Sequence, residues 1–436
     1  MKNIVGKVAV LCFILWAAIP SPSWGKVYLD IYAPSMRLLP IAIPVPIPLE
    51  GTAPHPRISG EVREVLAGDL NFSSVFRVLD PVLYLEDEEN SGIRPKTFGF
   101  DDWELINAEA LIKTGYAVME NGNVELEFHL YDVFQKKELI AKRWKGKPAQ
   151  VRRMVHLFTN AVMKKITGED GIFLTSVLYV KAGSRGKDIY RMDFDGANVE
   201  RVVHNGFLNL SPAWWPDRRG LVYTSYKKGA PDLFSRAFGG QERRLTLGSG
   251  VDVGVSFSPD GRYIAFMSSV NGNPDIYRSD RNGGNRVRLT RLRSVEASPT
   301  WSPDGKRIAF VSDRYGSPQI FTMNADGSDP MRVTYEGSYN ASPAWSPDGK
   351  FIAYASRVNG GFGIFLVDPD TLESRPLVGE AGNNEDPSWA PDGRFIIFSS
   401  NRSGTYQLYV VDREGRKEIR ITSGRGDKTS PSWSPR

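Results

Sequence analysis

Cysteine is all but absent from this 436-residue sequence: its single thiol, Cys12, lies in the first apolar stretch and nowhere else. A chain without a second thiol cannot staple itself, so its stability must come from buried apolar area, which a chain of this length can supply. Histidine is nearly as scarce. His55, His129, His156 and His204 are scattered without metal-ligand spacing and read as ordinary surface or strand residues, so no metal site is expected. There is no Gly-x-Ser-x-Gly elbow, no Walker loop and no His-Glu-x-x-His, which removes the usual nucleophile, phosphate and zinc chemistries. Blocks of Lys and Arg of the kind that grip nucleic acid are missing too, because both signs are mixed along the chain. The sequence gives no reason to invoke catalysis or a cofactor.

Long apolar runs are also few. Lys2 and Lys7 precede Val8 to Ile19, and Pro20, Pro22 and Ser23-Trp24-Gly25 follow; this run is too short to span a bilayer and reads as a secretory signal cleaved after Gly25. Cys12 would leave with it, and since Leu11 precedes it the site does not resemble a lipid-modified one. Removing Lys2 and Lys7 lowers the formal charge from +5 to +3. The expected product is exported, without direct membrane insertion, and a monomer on its own.

What the chain has in quantity is glycine (42), proline (29) and aromatics, the composition of many short strands joined by tight turns. One phrase occurs six times, centred on Trp214, Phe257, Trp301, Trp345, Trp389 and Trp433, at near-constant intervals; one copy reads Ser298-Pro299-Thr300-Trp301-Ser302-Pro303-Asp304-Gly305. A repeat in the forties with four strand-like runs per unit is a propeller blade. Asp304 and its equivalents are turn residues, with Pro presetting φ and Gly taking the left-handed position. The Asx loops Asp193-Phe194-Asp195-Gly196 and Asn324-Ala325-Asp326-Gly327 are hairpin turns, since their glycine stands fourth where a calcium loop needs it sixth. Three strands (178–181, 188–192, 200–203) precede the first phrase and one strand follows the last, so the two orphans should pair and close the ring.

Residues 26–170 carry no repeat and read as a separate α/β unit, a small mixed sheet with two helices, followed by the six-bladed propeller over 171–436. A helix is expected over 58–69 with Ser59 near its cap, a strand over 76–80, a hairpin over 108–119 and 123–133, a strand over 138–144 and a second helix over 148–167 stopped by Gly168. The stretch Lys26 to Leu49, with Pro44, Pro46 and Pro48 between apolar residues, should be an edge strand or an extended arm, because prolines cannot donate to a ladder.

The combination of a signal peptide, Trp103-Glu104-Leu105-Ile106-Asn107-Ala108-Glu109-Ala110-Leu111-Ile112, Leu130-Tyr131-Asp132 and Pro-x-Trp-Ser-Pro-Asp-Gly blades resembles the TolB family of periplasmic Tol-Pal components over the whole chain. The resemblance implies a non-enzymatic interaction protein that binds the lipoprotein Pal through the propeller and offers its mature N-terminus, here Lys26, Val27, Tyr28, Leu29, Asp30 and Ile31, to TolA, in support of outer-membrane invagination at division and outer-membrane integrity. The loops leading into the innermost strands surround one channel mouth and contain Asn209, Asp252, Glu296, Asn340, Asn384, Glu385 and Asp427, an acidic and amide ring suited to a partner's basic and polar groups. The family tends to carry a histidine where this chain has Val251, so contacts do not transfer position for position. The alternative is a periplasmic propeller that binds a carbohydrate or serves an envelope enzyme as an accessory domain; it would need convergent polar groups on the innermost strands, which are small and apolar instead.

Overall fold

The computed structural model describes residues 37–436 apart from 88–90, 247, 359 and 380. The signal segment and the arm residues 26–31 lie outside the described residues. The chain builds an N-terminal α/β domain followed by a six-bladed β-propeller.

In the N-terminal domain, β1 (Leu39–Ala42) and β2 (Ile47–Pro48) precede helix α1 (Pro56–Phe72) and β3 (Phe76–Val78). Helix α2 (Asp101–Leu105) leads into the long strands β4 (Ala110–Val118), β5 (Val124–Asp132) and β6 (Lys137–Gly146), and α3 (Val151–Thr167) closes the unit. The sheet order is β3-β1-β4-β5-β6, with β2 paired to β4. The two parts of the proline-rich stretch differ: β1 lies between β3 and β4, parallel to both, whereas β2 pairs with β4 alone, as an edge segment does. Pro40 is tolerated in β1 because its carbonyl, which it keeps, accepts from Glu109 N at 3.0 Å. Pro44 and Pro46 lie between β1 and β2, and Pro48 is the last residue of β2, opposite Tyr116. The cap of α1 is also not Ser59: His55 Nδ1 accepts from Ile58 N, while Ser59 sits inside the helix with its hydroxyl donating to Pro46 O.

Alternation along β4 and β5 assigns two faces to the sheet. Ile112, Phe128 and Leu130 face α1 and α3, whereas Leu111, Tyr131 and Val133 face a layer built from residues 79–108, pinned by Leu79 and Trp103. Beside that layer lies a buried ion network on the strands: Glu127 accepts from Arg94 (2.9 Å), His129 (2.9 Å) and Arg143, and Lys113 meets Glu86 at 2.6 Å.

The six blades, I to VI, each hold four antiparallel strands, here called a to d from the channel outward. Strand a is Asn209–Trp214, Asp252–Phe257, Glu296–Trp301, Asn340–Trp345 and Asn384–Trp389 in blades II to VI. Blade I takes its strand a from the far end of the chain, Lys428–Trp433, which pairs antiparallel with Ser176–Ala182. The repeated tryptophan is a wedge between blades: the indole N–H of Trp214 donates to Ser432 O and that of Trp389 to Ala344 O, both at 2.9 Å. Each strand a is interrupted by a register shift, where Ser211, Gly254, Ser298, Ser342, Asp386 and Ser430 take φ between 47° and 66°. The Asp304 turn forms as its chemistry requires, with Ser302 Oγ donating to Asp304 Oδ1 and Lys306 N closing on the same oxygen.

The domains share one apolar core. Phe72 at the end of α1 packs against Phe194 and Phe395, Arg394 donates to Ser73 O at 2.6 Å, and Arg152 pairs with Asp195. His156 is buried rather than a surface residue, bonded through Nδ1 to Asp69 at 2.8 Å. The propeller residues in these contacts belong to a–b and c–d turns or, for Phe395, to the start of strand b next to one, so the N-terminal domain covers that face and leaves the opposite mouth open.

Candidate partner surface at the open mouth

The open mouth is formed by the d-to-a and b-to-c loops, because strands a and c begin there and strands b and d end there. Five of the residues read from sequence as a partner-facing ring, Asn209, Asp252, Glu296, Asn340 and Asn384, are the first residues of strand a and are buried. Their polar groups are turned inward to brace the blade. Asn209 Oδ1 accepts from Ser225 Oγ at 2.8 Å while its amide donates to Lys187 O. Glu296 accepts from Ser312 Oγ and from Arg314, both at 2.9 Å. Asn340 donates to Gln319 Oε1 and Glu336 O, and Asn384 donates to Gly379 O and accepts from Arg402. Asp252 faces Arg286 at 3.6 Å.

The common task explains the shared residue type. A strand that begins under a loop leaves loop carbonyls without partners, and a short amide or carboxylate at this point satisfies them or the serine opposite. In blade I the same position is Lys428, whose ammonium donates to the carbonyls of Gly424, Arg425 and Gly426. Burial holds that ammonium below the usual lysine range. The expectation of an exposed acidic ring is corrected for these five positions: the carboxylates and amides serve the fold. Glu385 is half-buried and accepts from Tyr406 OH at 2.6 Å; desolvation, then the adjacent Glu385, push the Tyr406 phenol up to about 12. Asp427 is exposed, with Oδ1 accepting from Tyr406 N.

Beside the exposed Asp427 and Glu336, the mouth presents apolar and cationic side chains. Tyr315 (72% exposed), Tyr335 (62%) and Tyr339 stand on its loops with Phe207, Leu292 and Val295. Arg291 and Arg293 flank Leu292, and Lys228 and Arg357 are exposed where strand b of blades II and V ends. These large apolar residues all come from the loops between residues 204 and 339, which run from the junction of blades I and II to that of blades IV and V. Reading the sequence for polar loop residues missed them; the usable signal was a large apolar side chain between Gly, Ser or Arg in a loop that should be polar, as in Arg291-Leu292-Arg293 and Tyr335-Glu336-Gly337.

Comparison with known proteins agrees with this architecture. A family model described as the TolB beta propeller domain matches residues 163–436, and one described as the TolB amino-terminal domain matches residues 27–139. A Tol-Pal system protein TolB of Desulfosudis oleivorans is 36% identical over 274 residues, covering 62% of each chain. Another, of Geobacter sulfurreducens, is 42% identical over 222 residues, covering 51% of this chain and 50% of its own. The chain thus spans about half to three fifths of the length of these curated relatives. The crystal structure of TolB from Acinetobacter baumannii superposes with a TM-score of 0.79 at 25% identity, covering 92% of this chain and 97% of that one. With the propeller model alone matching more than half of the sequence, this chain belongs to the TolB family.

Proposed function

We propose that this protein is a periplasmic, non-enzymatic component of the Tol-Pal system that holds the lipoprotein Pal on the open propeller mouth. In the same reading it offers Lys26 to Ile31 to TolA, and so supports outer-membrane invagination and integrity. The observation that supports it is the open mouth itself, where exposed tyrosines, leucine and arginines form a broad contact surface while the carboxylates of Asp252 and Glu296 are buried as braces. Aromatic and arginine side chains are the residues that anchor protein interfaces. Of the positions read from sequence, Glu385 and Asp427 are proposed as direct contacts. Asn209, Asp252, Glu296, Asn340 and Asn384 are proposed to act by holding the loops that carry Tyr315, Tyr335 and Arg293.

The test is a calorimetric titration of the mature chain with the soluble part of Pal. Tyr335→Asp and Arg293→Glu should each weaken binding at least tenfold, and Glu385→Arg should weaken it while the melting temperature stays unchanged. Parent-like affinity in all three would remove the mouth as the Pal site. Soluble peptidoglycan fragments serve as the competing ligand, since a carbohydrate-binding propeller would stack sugars on the same tyrosines.

A further inference from the structure

The layer that covers the outer face of the N-terminal sheet leaves a second set of large apolar side chains in solvent. Val82 (88% exposed) and Leu105 (72%) are exposed together with Leu83, Leu85 and Phe134. Scattered single apolar residues on a surface are ordinary, but these five belong to one neighbourhood. Tyr84 packs edge-on against Trp103 with ring centroids 5.0 Å apart, which ties residues 82–85 to helix α2 and hence to Leu105. Lys136 reaches Asp101 at 2.7 Å and Glu104 at 3.5 Å, which brings the β5–β6 turn carrying Phe134 to the same helix.

The same short segments had every opportunity to bury these residues and did not. Leu79, Trp103, Tyr131 and Val133 form the satellite core beneath, and that core is complete without the five. Their outward orientation is held by polar contacts. Asp80 Oδ1 accepts from Val82 N at 3.0 Å and caps the single turn Pro81–Leu83. Tyr84 OH donates to Leu79 O and accepts from Ile43 N, both at 3.0 Å, which anchors the next residue to the sheet. Side chains fixed in place before a partner arrives lose little freedom on binding.

The rim of this patch is acidic. Asp80 and Asp101 are exposed and Asp102 and Glu104 half-buried; against these four acids the turn with Phe134 sets Lys136, already engaged by Asp101 and Glu104, and Lys137. Such a rim disfavours an anionic lipid surface and favours cationic side chains around an apolar centre. We infer that Val82, Leu83, Leu85, Leu105 and Phe134 form a second docking surface, on the sheet face opposite the helices that carry the propeller. Its occupant is a protein segment with aliphatic or aromatic anchors flanked by Lys or Arg. The inference does not depend on what binds the open mouth.

The test uses the mature full chain and a fluorescein-labelled 14-residue helical peptide with leucine on one face and lysine on the other. Fluorescence anisotropy should show saturable binding that weakens at least tenfold in Val82→Glu/Leu105→Glu and in Asp101→Lys/Asp102→Lys. The mouth variant Tyr335→Asp should bind as the parent does, and so should the parent in the presence of saturating Pal. Phe134→Ser, on a different segment, should weaken binding severalfold and covers the case in which a double variant fails to fold. Absence of binding, or equal binding by parent and patch variants, overturns the inference. Sedimentation velocity supplies the other decisive outcome: concentration-dependent association of the parent that Leu105→Glu abolishes would make the occupant a second copy of this chain, and would overturn it as well.

Discussion

Phe72 meets Phe194 edge-on, with ring centroids 5.0 Å apart and 88° between the planes, and through this contact the first helix of one domain is set into a turn of the other. Phe395 closes on the same ring from blade VI at 5.1 Å. A side chain with aromatic partners in two blades couples the domains more tightly than the polar pairs around it. Phe72→Ala should cost about 3–5 kcal/mol. Urea denaturation should then resolve two transitions in place of one, and a single transition with an unchanged midpoint would show that the interface is held by something else.

Glu127 gives the N-terminal domain an acid-sensitive point. Burial alone would raise its carboxyl, but hydrogen bonds from His129, Arg94 and Arg143 outweigh that and bring it down to about 2. A carboxyl depressed on folding contributes stability that is fully present above the ordinary glutamate range and is lost as pH falls toward 2. Thermal midpoints measured from pH 6 to pH 2.5 should fall along this limb in the parent and fall less steeply in Glu127→Gln. Parallel curves would contradict the assignment.

Ring closure should be sensitive at Trp433. Its indole N–H donates to Thr175 Oγ1 at 2.9 Å and its ring joins the core shared by the two domains. Trp433→Ala should cost about 3–5 kcal/mol, and deletion of residues 430–436 should cost more by leaving Ser176–Ala182 as an open edge. Calorimetric melting that is unaffected by the deletion would mean that blade I is stable with three strands.

Asp386 replaces serine at the bulge of blade VI and accepts from Ser342 Oγ on one side and from Ser430 N and Oγ on the other, at 3.1–3.2 Å. It thereby ties the last strand to its neighbours across the channel wall. Asp386→Ala should destabilise by about 1–3 kcal/mol, because partly buried donors of Ser342 and Ser430 lose their acceptor, and Asp386→Ser should recover part of that loss. Equal melting temperatures for the three proteins would remove Asp386 from the closure.

Periodicity made the propeller legible in the sequence, since the tryptophan wedge and the Pro-Asp-Gly turn must recur wherever a blade meets the next. The strand trio before Trp214 and the lone strand at Trp433 revealed the closure for the same reason. The N-terminal domain was legible where apolar spacing is strong: the helix read over 58–69 spans Pro56–Phe72, and the strand read over 138–144 spans Lys137–Gly146. Proline as a mark of an edge holds for β2, which is bonded to β4 alone, but not for β1, where the position of Pro40 requires only its carbonyl. Helix α2 was missed because five residues are too few for a period to show. The site was the least legible part. Asn209, Glu296 and Asn384 look like exposed loop residues until the strand start buries them, whereas Tyr315 and Tyr335 lie in loops that were searched only for polar groups.

Pairing Lys428–Trp433 with Ser176–Ala182 also sets a timetable. Blade I is the first blade to be synthesised and the last to be completed, so its inner edge must wait unpaired while five other blades form beside it. During that interval another strand could occupy the vacancy, and the long sequence separation of the closing pair should make the arrival of the final strand a slow step. The yield of folded protein should therefore depend less on how stable the finished ring is than on how long that one edge stays open.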